Sequence, residues 1–406
     1  MPKAKIITGL DIGTYSIKAL AVVKKPESED LEVLGYKEVP SFGTRRGIVI
    51  KVDEVSKHIA EVLNQLQKDI GKNIEDVYTN ISGSHIFSTL SRGTIIVSRA
   101  DQKISEEDVH RVIQAAQAFS LPSNKEILEV FPREFIVDGE PIKEPKDMQG
   151  LRLEAEVLAL CAFSPYLKNL TTAVLNAGFQ ISDITPSSLA SAKAVLTPSQ
   201  KELGVCLLDI GGGTTDLAVY EEGDLVHMAV LPIGSERITY DLAVGLKTDV
   251  EIAEQVKREF GSCVLKGGNK KEKIEIPQES DTAEFLTFSH KMLVKIIEAR
   301  VSEIFNLTEK ELKTISLKGL LPAGVVLTGG GAKLPKIVEL AKKELALPAR
   351  IGVPQGWEGL ERDPCLSTVC GLVLGGSEIE TRRWASPVLS KGVTAKLKKA
   401  FKIFLP

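Results

Sequence analysis

Short, almost wholly apolar runs occur twice in the same arrangement along this chain. Residues 6–10 are followed by Asp11, a Gly-Thr turn and a second apolar run at 17–23. The arrangement returns around Asp209, 198 positions after Asp11, with a Gly-Gly-Gly-Thr turn. Continuous apolar runs bounded by turn residues are typical of buried strands. The repeat therefore predicts two related halves, each with a β-hairpin whose first strand ends in an acidic residue.

The segment between the two hairpins has a different pattern. It alternates as strands do over residues 76–99, runs in helical period from Ser105, and returns to a strand pattern at 125–139. Such a segment predicts a small inserted α+β module. After the second hairpin, residues 247–260 predict an amphipathic helix, because acidic residues come first and basic residues last, as the helix dipole favours.

The composition is that of an ordinary globular protein. Its formal net charge of -3 argues against a general nucleic-acid binder, which would carry a concentrated basic surplus. The cysteines form no Cys-x-x-Cys pair, which fits a reducing cytosol, and the histidines show no metal spacing. The N-terminal residues lack a signal-peptide pattern, and no window reaches the ~18 apolar residues of a spanning helix. We therefore expect a cytoplasmic chain that does not cross a membrane.

The two hairpin turns have the composition of a phosphate-binding site. Glycine permits the close approach that backbone N–H groups need to surround a phosphate, threonine adds hydroxyl donors, and lysine neutralises charge. One such turn is equally typical of a tight β-hairpin, but two copies disfavour that alternative. There is no Walker A sequence, and each turn leads to a strand instead of a helix. The candidate phosphate-binding residues are Gly13, Thr14, Tyr15, Lys18, Gly211, Gly212, Gly213, Thr214 and Thr215.

Acidic residues of the hairpin strands, Asp11, Asp209 and Asp216, are candidates for holding a hydrated Mg²⁺ beside a triphosphate. A third glycine-rich turn at 329–331 follows an apolar run and precedes a helical pattern with Pro335 in its predicted first turn. A helix N-terminus after glycines is typical of an anion or nucleotide site, although any strand-to-helix turn can carry glycine.

Three motifs in this order resemble the nucleotide motifs of the superfamily of actin, heat-shock chaperones and sugar kinases: the hairpins DIGTYSIK and DIGGGTTD and the turn LTGGGAKLP. The segments GTRRGIVI, NISGSHI, SRGTIIVSR, ISEEDVHRVIQAA, EFIVDG and GLRLEAEV closely resemble the FtsA family of actin-like bacterial cell-division proteins. The resemblance covers almost the whole chain. It implies an α/β, actin-like (ribonuclease H-like) duplicated fold, with an ATP cleft between two domains and an inserted α+β subdomain called 1C.

The resemblance also implies where the subdomains lie. Subdomain 1C takes part in contacts between FtsA subunits and with other division proteins, and the FtsZ C-terminal peptide docks on subdomain 2B. The implied bounds are 1–82 with 164–197 for subdomain 1A, 83–163 for 1C, 198–230 with 301–380 for 2A, 231–300 for 2B, 381–390 for a linker and 391–406 for a membrane-targeting helix.

In this family ATP is bound between the two domains. The pattern at 247–260 resembles the family's Ala-Glu-x-x-Lys segment beside the ribose and base; by itself it would favour an ion pair on a solvated helix face. The implied adenosine-binding residues are Glu254, Lys257, Gly329, Gly330, Gly331 and Lys333.

One position departs from the hydrolytic members of the superfamily. They often have an acid or an amide near the attacking water, before a proline, where this chain has Thr185. A threonine is a poor general base at neutral pH. We therefore expect at most slow ATP hydrolysis, with ATP acting as a conformational and assembly ligand.

The C-terminal residues 391–406 predict a basic amphipathic helix after a polar linker. Its lysines suit an anionic membrane, to which each contributes about 1 kcal/mol. A terminal helix that docks its apolar stripe on the protein body is the alternative. FtsA proteins end in a similar membrane-targeting helix. The candidate membrane-contacting residues are Val393, Leu397, Lys398, Lys399, Phe401, Lys402, Phe404 and Leu405.

Taken with the resemblance, the sequence predicts an ATP-binding cell-division protein that polymerises, tethers FtsZ filaments to the cytoplasmic face of the membrane at the division site, and recruits later division proteins. Its expected partners are ATP with Mg²⁺, the FtsZ C-terminal peptide, further copies of itself, later division membrane proteins and anionic lipid, with no nucleic acid. A pilus-assembly protein of the PilM kind and a sugar kinase are the alternatives. The basic tail argues against both.

Overall fold

The structure is a computed structural model that describes residues 5–24, 30–98, 101–265, 273–277, 285–315 and 321–385. The predicted C-terminal helix and its candidate membrane-contacting residues lie outside these ranges. Within them, no helix combines the length and the apolar character that crossing a bilayer requires.

Groups of strands are interspersed with helices along the described residues. The strands are β1 (Lys5–Ile12), β2 (Ser16–Lys24), β3 (Leu31–Pro40), β4 (Thr44–Arg45), β5 (Ile48–Val49), β6 (Asp76–Ile81), β7 (Phe87–Ile96), β8 (Lys125–Val137), β9 (Glu140–Ile142), β10 (Arg152–Phe163), β11 (Gln180–Pro186), β12 (Val205–Ile210), β13 (Thr215–Glu221), β14 (Asp224–Leu231), β15 (Lys273–Pro277), β16 (Phe285–Ser289), β17 (Val325–Thr328) and β18 (Ala349–Ile351). The helices are α1 (Val52–Ile70), α2 (Glu106–Ala116), α3 (Ser164–Asn176), α4 (Ser187–Val195), α5 (Pro198–Leu203), α6 (Glu236–Leu246), α7 (Val250–Phe260), α8 (His290–Thr314), α9 (Ile337–Leu345) and α10 (Ser367–Ala385).

The N-terminal hairpin lies in a five-stranded sheet with the order β11-β6-β1-β2-β3. β1 pairs antiparallel with β2, which places Asp11 opposite Lys18, and β3 extends the antiparallel side. On the other side, β6 runs parallel to β1 and β11 runs parallel to β6. This sheet forms the first domain.

A second five-stranded sheet repeats the layout with the order β14-β13-β12-β17-β18. β12 pairs antiparallel with β13, which places Asp209 opposite Asp216, and β14 extends the antiparallel side. β17 and β18 add parallel strands on the other side. The repeated layout confirms the prediction of two related halves.

The predicted α+β module is inserted in the first domain between β6 and α3. It is a four-stranded sheet of order β7-β10-β8-β9, with α2 packed against β7 and β10. Ser105 caps α2 in a reciprocal capping box with Asp108, as its position before the helical pattern predicts. The helix lies so close to the sheet that a Cβ on Gly93 would overlap the backbone of Ala116.

One hydrophobic core joins both sheets to the base of the inserted module. It contains Leu10 and Leu63 from the first domain, Leu160 from β10, and Leu207 and Tyr220 from the second sheet. This core buries apolar residues of both domains together. That shared burial stabilises the position of the two hairpins relative to each other.

Helix α10, the last described helix, packs against the first sheet. The predicted bounds assign residues up to 380 to the second domain. The α10 residues Val369 and Val373 are buried with Ile7 and Leu20 of the first sheet. Gly371 permits the approach, since a Cβ there would overlap the carbonyl of Ala190 in α4. The helix also continues to residue 385, so the first half of the predicted linker is helical.

Candidate functional site

A cleft of about 1290 Å³ lies between the two domains and brings most of the predicted nucleotide-binding residues together. Its walls come from both hairpins, from α6 and α7, and from the third glycine-rich turn. The predicted residues that line it are Asp11, Gly13, Thr14, Tyr15, Lys18, Asp209, Gly211, Gly212, Thr214, Asp216, Glu254, Lys257, Gly329, Gly330, Gly331 and Lys333.

Two predicted phosphate-binding residues, Gly213 and Thr215, do not line this cleft. Thr215 is fully buried and its hydroxyl donates to the carbonyl oxygen of Ile233 at 2.9 Å. Gly213 packs against Thr14 of the other hairpin and against Arg46. Alternate residues of a strand point to opposite faces, so the second threonine of the pair faces away from the cleft.

The first hairpin turn requires glycine. The Gly13 N–H donates to the carbonyl oxygen of Ser16 at 3.1 Å, and a Cβ on Gly13 would stand 2.8 Å from that oxygen. The Thr14 hydroxyl oxygen accepts a bond from the Gly47 N–H at 2.9 Å. A threonine hydroxyl that accepts one hydrogen bond can also donate one. The turn is therefore braced by the segment between β4 and β5.

The second hairpin turn is braced by the start of α6. The Gly211 N–H donates to the carbonyl oxygen of Thr214 at 2.9 Å, and the Gly212 carbonyl oxygen accepts a bond from the Glu236 N–H at 2.9 Å. A Cβ on Gly212 would lie only 3.3 Å from the Cβ of Tyr15. The two hairpin turns thus touch across the cleft.

Asp11 and Lys18 face each other in the first hairpin. The Lys18 Nζ lies 3.4 Å from an Asp11 carboxylate oxygen, and the Asn80 side-chain amide donates to the other oxygen at 2.8 Å. Both side chains are buried. Burial raises the pKa of Asp11, and Lys18 opposes that rise. Lys18 therefore provides a positive charge inside the cleft, and the negative charges of Asp11 and Glu38 both favour its charged form.

The second domain's carboxylates are bonded by hydroxyl groups of other segments. Asp209 accepts from Thr368 of α10 at 3.1 Å and from Ser191 of α4. Asp216 accepts from Ser82 at 2.7 Å. Ser82 and Ser191 belong to the first domain, so both acids of the second domain are held across the domain boundary.

Burial is the main cause of a raised pKa at both of these acids. It raises the pKa of Asp209 to about 6, and that of Asp216 to about 7, where the neighbouring negative charge of Asp209 adds to the rise. A cation close to the three carboxylates would lower these pKa values by favouring the charged forms.

This donor set fits a hydrated Mg²⁺, because carboxylate oxygens are the protein ligands that this hard cation prefers. Across the described ranges, no group of three or more acidic, histidine or cysteine side chains is arranged to hold a metal ion. An ion held by Asp11, Asp209 and Asp216 through water stays a prediction.

Glu254 and Lys257 form a connected network on α7. The Lys257 Nζ lies 2.6 Å from Glu254 and donates to the Thr239 hydroxyl at 2.7 Å, and that hydroxyl donates to Glu254 at 2.6 Å. Lys257 is buried, so this pair is not on a solvated helix face. Burial raises the pKa of Glu254, but the hydrogen bonds from Lys257 and Thr239 outweigh it and lower the pKa overall. An ionised Glu254 is suited to accept hydrogen bonds from ribose hydroxyls.

The third glycine-rich turn forms a 3₁₀ turn, Gly330–Lys333, directly after β17. Gly329 has a φ of +79°, and a Cβ there would overlap a carboxylate oxygen of Asp209. The following helix α9 begins at Ile337, so Pro335 precedes the helix instead of lying in its first turn. Lys333 pairs with Asp363 at 2.6 Å. The glycines let this turn approach the second hairpin closely.

Sequence patterns missed the hydroxyl and amide groups that hold the acids. Asn80 is the second-to-last residue of β6, and Ser82 directly follows that strand. Parallel strands end at the same edge of a sheet, so polar residues at this point could have indicated a site there. Ser191 and Thr368 lie in helices far apart in the chain, and no local pattern marks them. Arg258, which also lines the cleft, was missed as well.

Solved structures of other proteins share this fold, and two of them illustrate the match. The PilM-PilN type IV pilus biogenesis complex matches with a TM-score of 0.65 at 17% identity, covering 91% of this chain and 98% of that chain. MreB5 of Spiroplasma citri bound to ADP matches with a TM-score of 0.57 at 14% identity, covering 97% of this chain and 99% of that chain. The duplicated hairpin sheets around one cleft, together with these matches, define an actin-like protein.

Family models and curated relatives narrow this class. The model "Cell division protein FtsA" matches residues 206–371, and the model "SHS2 domain inserted in FTSA" matches residues 83–161. FtsA of Pseudomonas aeruginosa is 37% identical over 376 residues, which cover 92% of this chain and 89% of that protein. FtsA of Bacillus subtilis is 36% identical over 374 residues, covering 92% and 84%. The chain belongs to the FtsA family of cell-division proteins, which confirms the family that the motifs indicated.

Proposed function

We propose that the protein binds ATP with Mg²⁺ between its two domains and, as a membrane-bound filament, tethers FtsZ polymers during cell division. The observation that carries the nucleotide part is the meeting of two glycine turns, one from each domain, at a cleft with three acidic residues. Backbone N–H groups, threonine hydroxyls and Lys18 supply the donors and the charge that a triphosphate needs. The three acids supply negative charge for its cation.

Each wall of the cleft takes a different part of the nucleotide in this proposal. Lys18 moves from Asp11 to the phosphates, and the hydroxyls of Thr14 and Thr214 donate to them. Glu254 accepts bonds from the ribose, and the turn at 329–331 admits the base. Because a nucleotide would contact both domains, it would stabilise their closed arrangement, which is how a ligand that is hydrolysed slowly can control assembly.

Slow hydrolysis is proposed because Thr185 occupies the position where hydrolytic relatives often have an acid or an amide, and because Thr185 does not line the cleft. Its hydroxyl lies 3.3 Å from a carboxylate oxygen of Asp183 and can donate to it. A threonine side chain is a weak base at neutral pH in any case. We therefore propose that ATP acts mainly as an assembly ligand.

The membrane part of the proposal rests on family membership and on the basic amphipathic pattern at 391–406. A helix this short holds a bilayer reversibly, so a filament that presents many such helices gains avidity. The protein would then act at the cytoplasmic face of the membrane at the division site. There it would bind the FtsZ C-terminal peptide through subdomain 2B and recruit later division proteins.

Co-pelleting tests the whole proposal. The protein is sedimented with anionic lipid vesicles and a fluorescent peptide copying the FtsZ C-terminus, with and without Mg-ATP. We expect protein and peptide to pellet together with the vesicles, and ATP to increase the pelleted fraction. A sugar kinase would not pellet with the vesicles and would not bind the peptide. A pilus-assembly protein of the PilM kind would leave the FtsZ peptide in the supernatant. Either result would refute the proposal.

A further inference from the structure

A direct contact joins the two domains at the mouth of the cleft. The Arg258 guanidinium donates to the Tyr15 hydroxyl at 2.7 Å and lies 5.4 Å from the centre of the Tyr15 ring. Tyr15 stands in the turn of the first hairpin, and Arg258 stands in α7 of the second domain. The two residues are 243 positions apart in the sequence and belong to different domains, so the contact depends on how the two domains are placed relative to each other.

Arg258 is also held by its own domain. Its Nε donates to one carboxylate oxygen of Glu254 at 2.8 Å, while the other oxygen is held by Lys257 and Thr239. Two donors of one planar guanidinium are thus committed, one to each domain, which a lysine could not reproduce with the same geometry.

Tyr15 is also oriented by its surroundings. Its backbone carbonyl oxygen accepts a bond from the Ser41 N–H at 3.0 Å, and its Cβ lies beside Gly212 of the opposite hairpin. Tyr15 is nevertheless 59% exposed as a residue, so burial does not explain its placement. The contact with Arg258 spans the cleft between the candidate phosphate-binding turns and the candidate ribose-binding Glu254.

We propose that Tyr15 and Arg258 form a latch across the cleft that must open for a nucleotide to enter or leave. The latch rests on the proposed nucleotide site, and it adds a step that sets the exchange rate. Glu254 connects ribose binding to the latch, because the carboxylate assigned to the ribose is also the one that orients Arg258. A nucleotide with an intact ribose would therefore be released more slowly than one lacking the hydroxyls that reach Glu254.

The experiment compares the full chain with Tyr15→Phe, Arg258→Ala and the double variant. A fluorescent ATP analogue is loaded with Mg²⁺, and its dissociation is followed after addition of excess ATP. We expect each single variant to release the analogue about ten-fold faster, which corresponds to about 1.4 kcal/mol. The double variant should be no faster than the faster single variant, because both changes remove one contact.

Tyr240→Phe is the matched control. The Tyr240 hydroxyl donates to Glu236 at 3.1 Å within the second domain, so its loss removes a similar bond without crossing the cleft. We expect its release rate to equal that of the unchanged protein. Hydrogen exchange of residues 211–216 without nucleotide provides a second measurement, and it should be faster in both latch variants than in the control.

The outcomes separate the latch from the nucleotide site. If the unchanged protein does not bind the analogue, the proposed nucleotide site is refuted. If the unchanged protein binds it and both latch variants release it at the unchanged rate, the latch is refuted while the site stands. If the two single effects add in the double variant, Tyr15 and Arg258 contact the nucleotide separately, and the latch is again refuted.

Discussion

Ser82 and Asp216 lie in different domains, and the Ser82 hydroxyl donates to the Asp216 carboxylate at 2.7 Å. The same hydroxyl lies 3.3 Å from the hydroxyl of Thr214 in the second hairpin. Ser82 also precedes Gly83, where the inserted module begins. The acid of the second domain with the higher pKa, about 7, is therefore held by the first domain, one residue before the module.

Ser82→Ala is expected to weaken Mg-ATP binding about ten-fold at pH 7, since a hydrogen bond to a charged group contributes about 1.5–3 kcal/mol. The bond from Ser82 lowers the pKa of Asp216, so without it a larger fraction of Asp216 is protonated near pH 7. Titrations with a fluorescent ATP analogue between pH 6 and pH 9 measure the effect, which should shrink towards pH 9.

Ser88→Ala is the control for that experiment, because the Ser88 hydroxyl also bridges the domains, to the Met228 carbonyl oxygen at 2.9 Å, but does so outside the cleft. Its affinity for Mg-ATP should be unchanged. An equal loss of affinity for Ser82→Ala at every pH would contradict a role through Asp216.

Asp216→Asn is expected to increase the free energy of unfolding at pH 8 in the absence of Mg²⁺ and nucleotide. The folded pKa of Asp216 is about 7, raised from 3.8, so the folded state binds the proton more tightly than the unfolded state. The stability that this proton provides is present at low pH and is lost as the pH rises from about 4 to about 7. Asparagine stays uncharged at every pH, so the variant does not lose this stability as the pH rises.

Urea denaturation at pH 5 and pH 8 measures the difference between Asp216→Asn and the unchanged protein. The advantage of the variant should be larger at pH 8 by up to about 2–3 kcal/mol, at about 1.36 kcal/mol per pKa unit. The same advantage at both pH values would show that Asp216 does not titrate in this range in the folded protein.

Gly212→Val is expected to reduce ATP affinity at least about 100-fold with a small effect on thermal stability. A valine here would press on Tyr15, which lies 3.3 Å from the position of the added Cβ, and would occupy the space between the two turns. Gly375→Ala in α10 is the control, because nothing lies within 4 Å of its added Cβ. That control should keep full affinity and gain about 0.5–1 kcal/mol of stability; full affinity in Gly212→Val would contradict the assignment of the turn.

Deletion of residues 391–406 is expected to leave a folded, ATP-binding protein that no longer sediments with anionic vesicles. The deleted segment carries lysines and apolar residues but no acid, so both charge attraction and apolar insertion are removed. Vesicle sedimentation measures binding, and a thermal melt measures folding. Unchanged sedimentation would refute the anchor.

Phe401→Glu distinguishes insertion from docking on the protein body. If the helix inserts into lipid, the variant should bind vesicles weakly and melt at the unchanged temperature, because the substituted side chain faces water in the free protein. A lower melting temperature with retained vesicle binding would support the docked helix instead.

Local patterns predicted the parts of the site that depend on local chemistry. The hairpins around Gly13 and Gly212 are predictable because apolar runs, an acid and a glycine turn occur within about a dozen consecutive residues. The capped helix α2 is predictable from Ser105 and the acidic residues after it for the same reason. The spacing of Glu254 and Lys257 on α7 predicts that the two side chains can pair. Only the resemblance to FtsA indicates that this pair belongs to a nucleotide site.

Tertiary packing decided the features that join distant segments. No local pattern shows that Ser191 and Thr368 bond Asp209, that Arg258 reaches Tyr15, or that α10 returns to the first sheet, because each depends on how separately formed elements are placed by the shared core. The sequence by itself determined the two turns and their acids. Only the folded chain decided which side chains hold those acids, since burial and contact are properties of segments far apart in the chain.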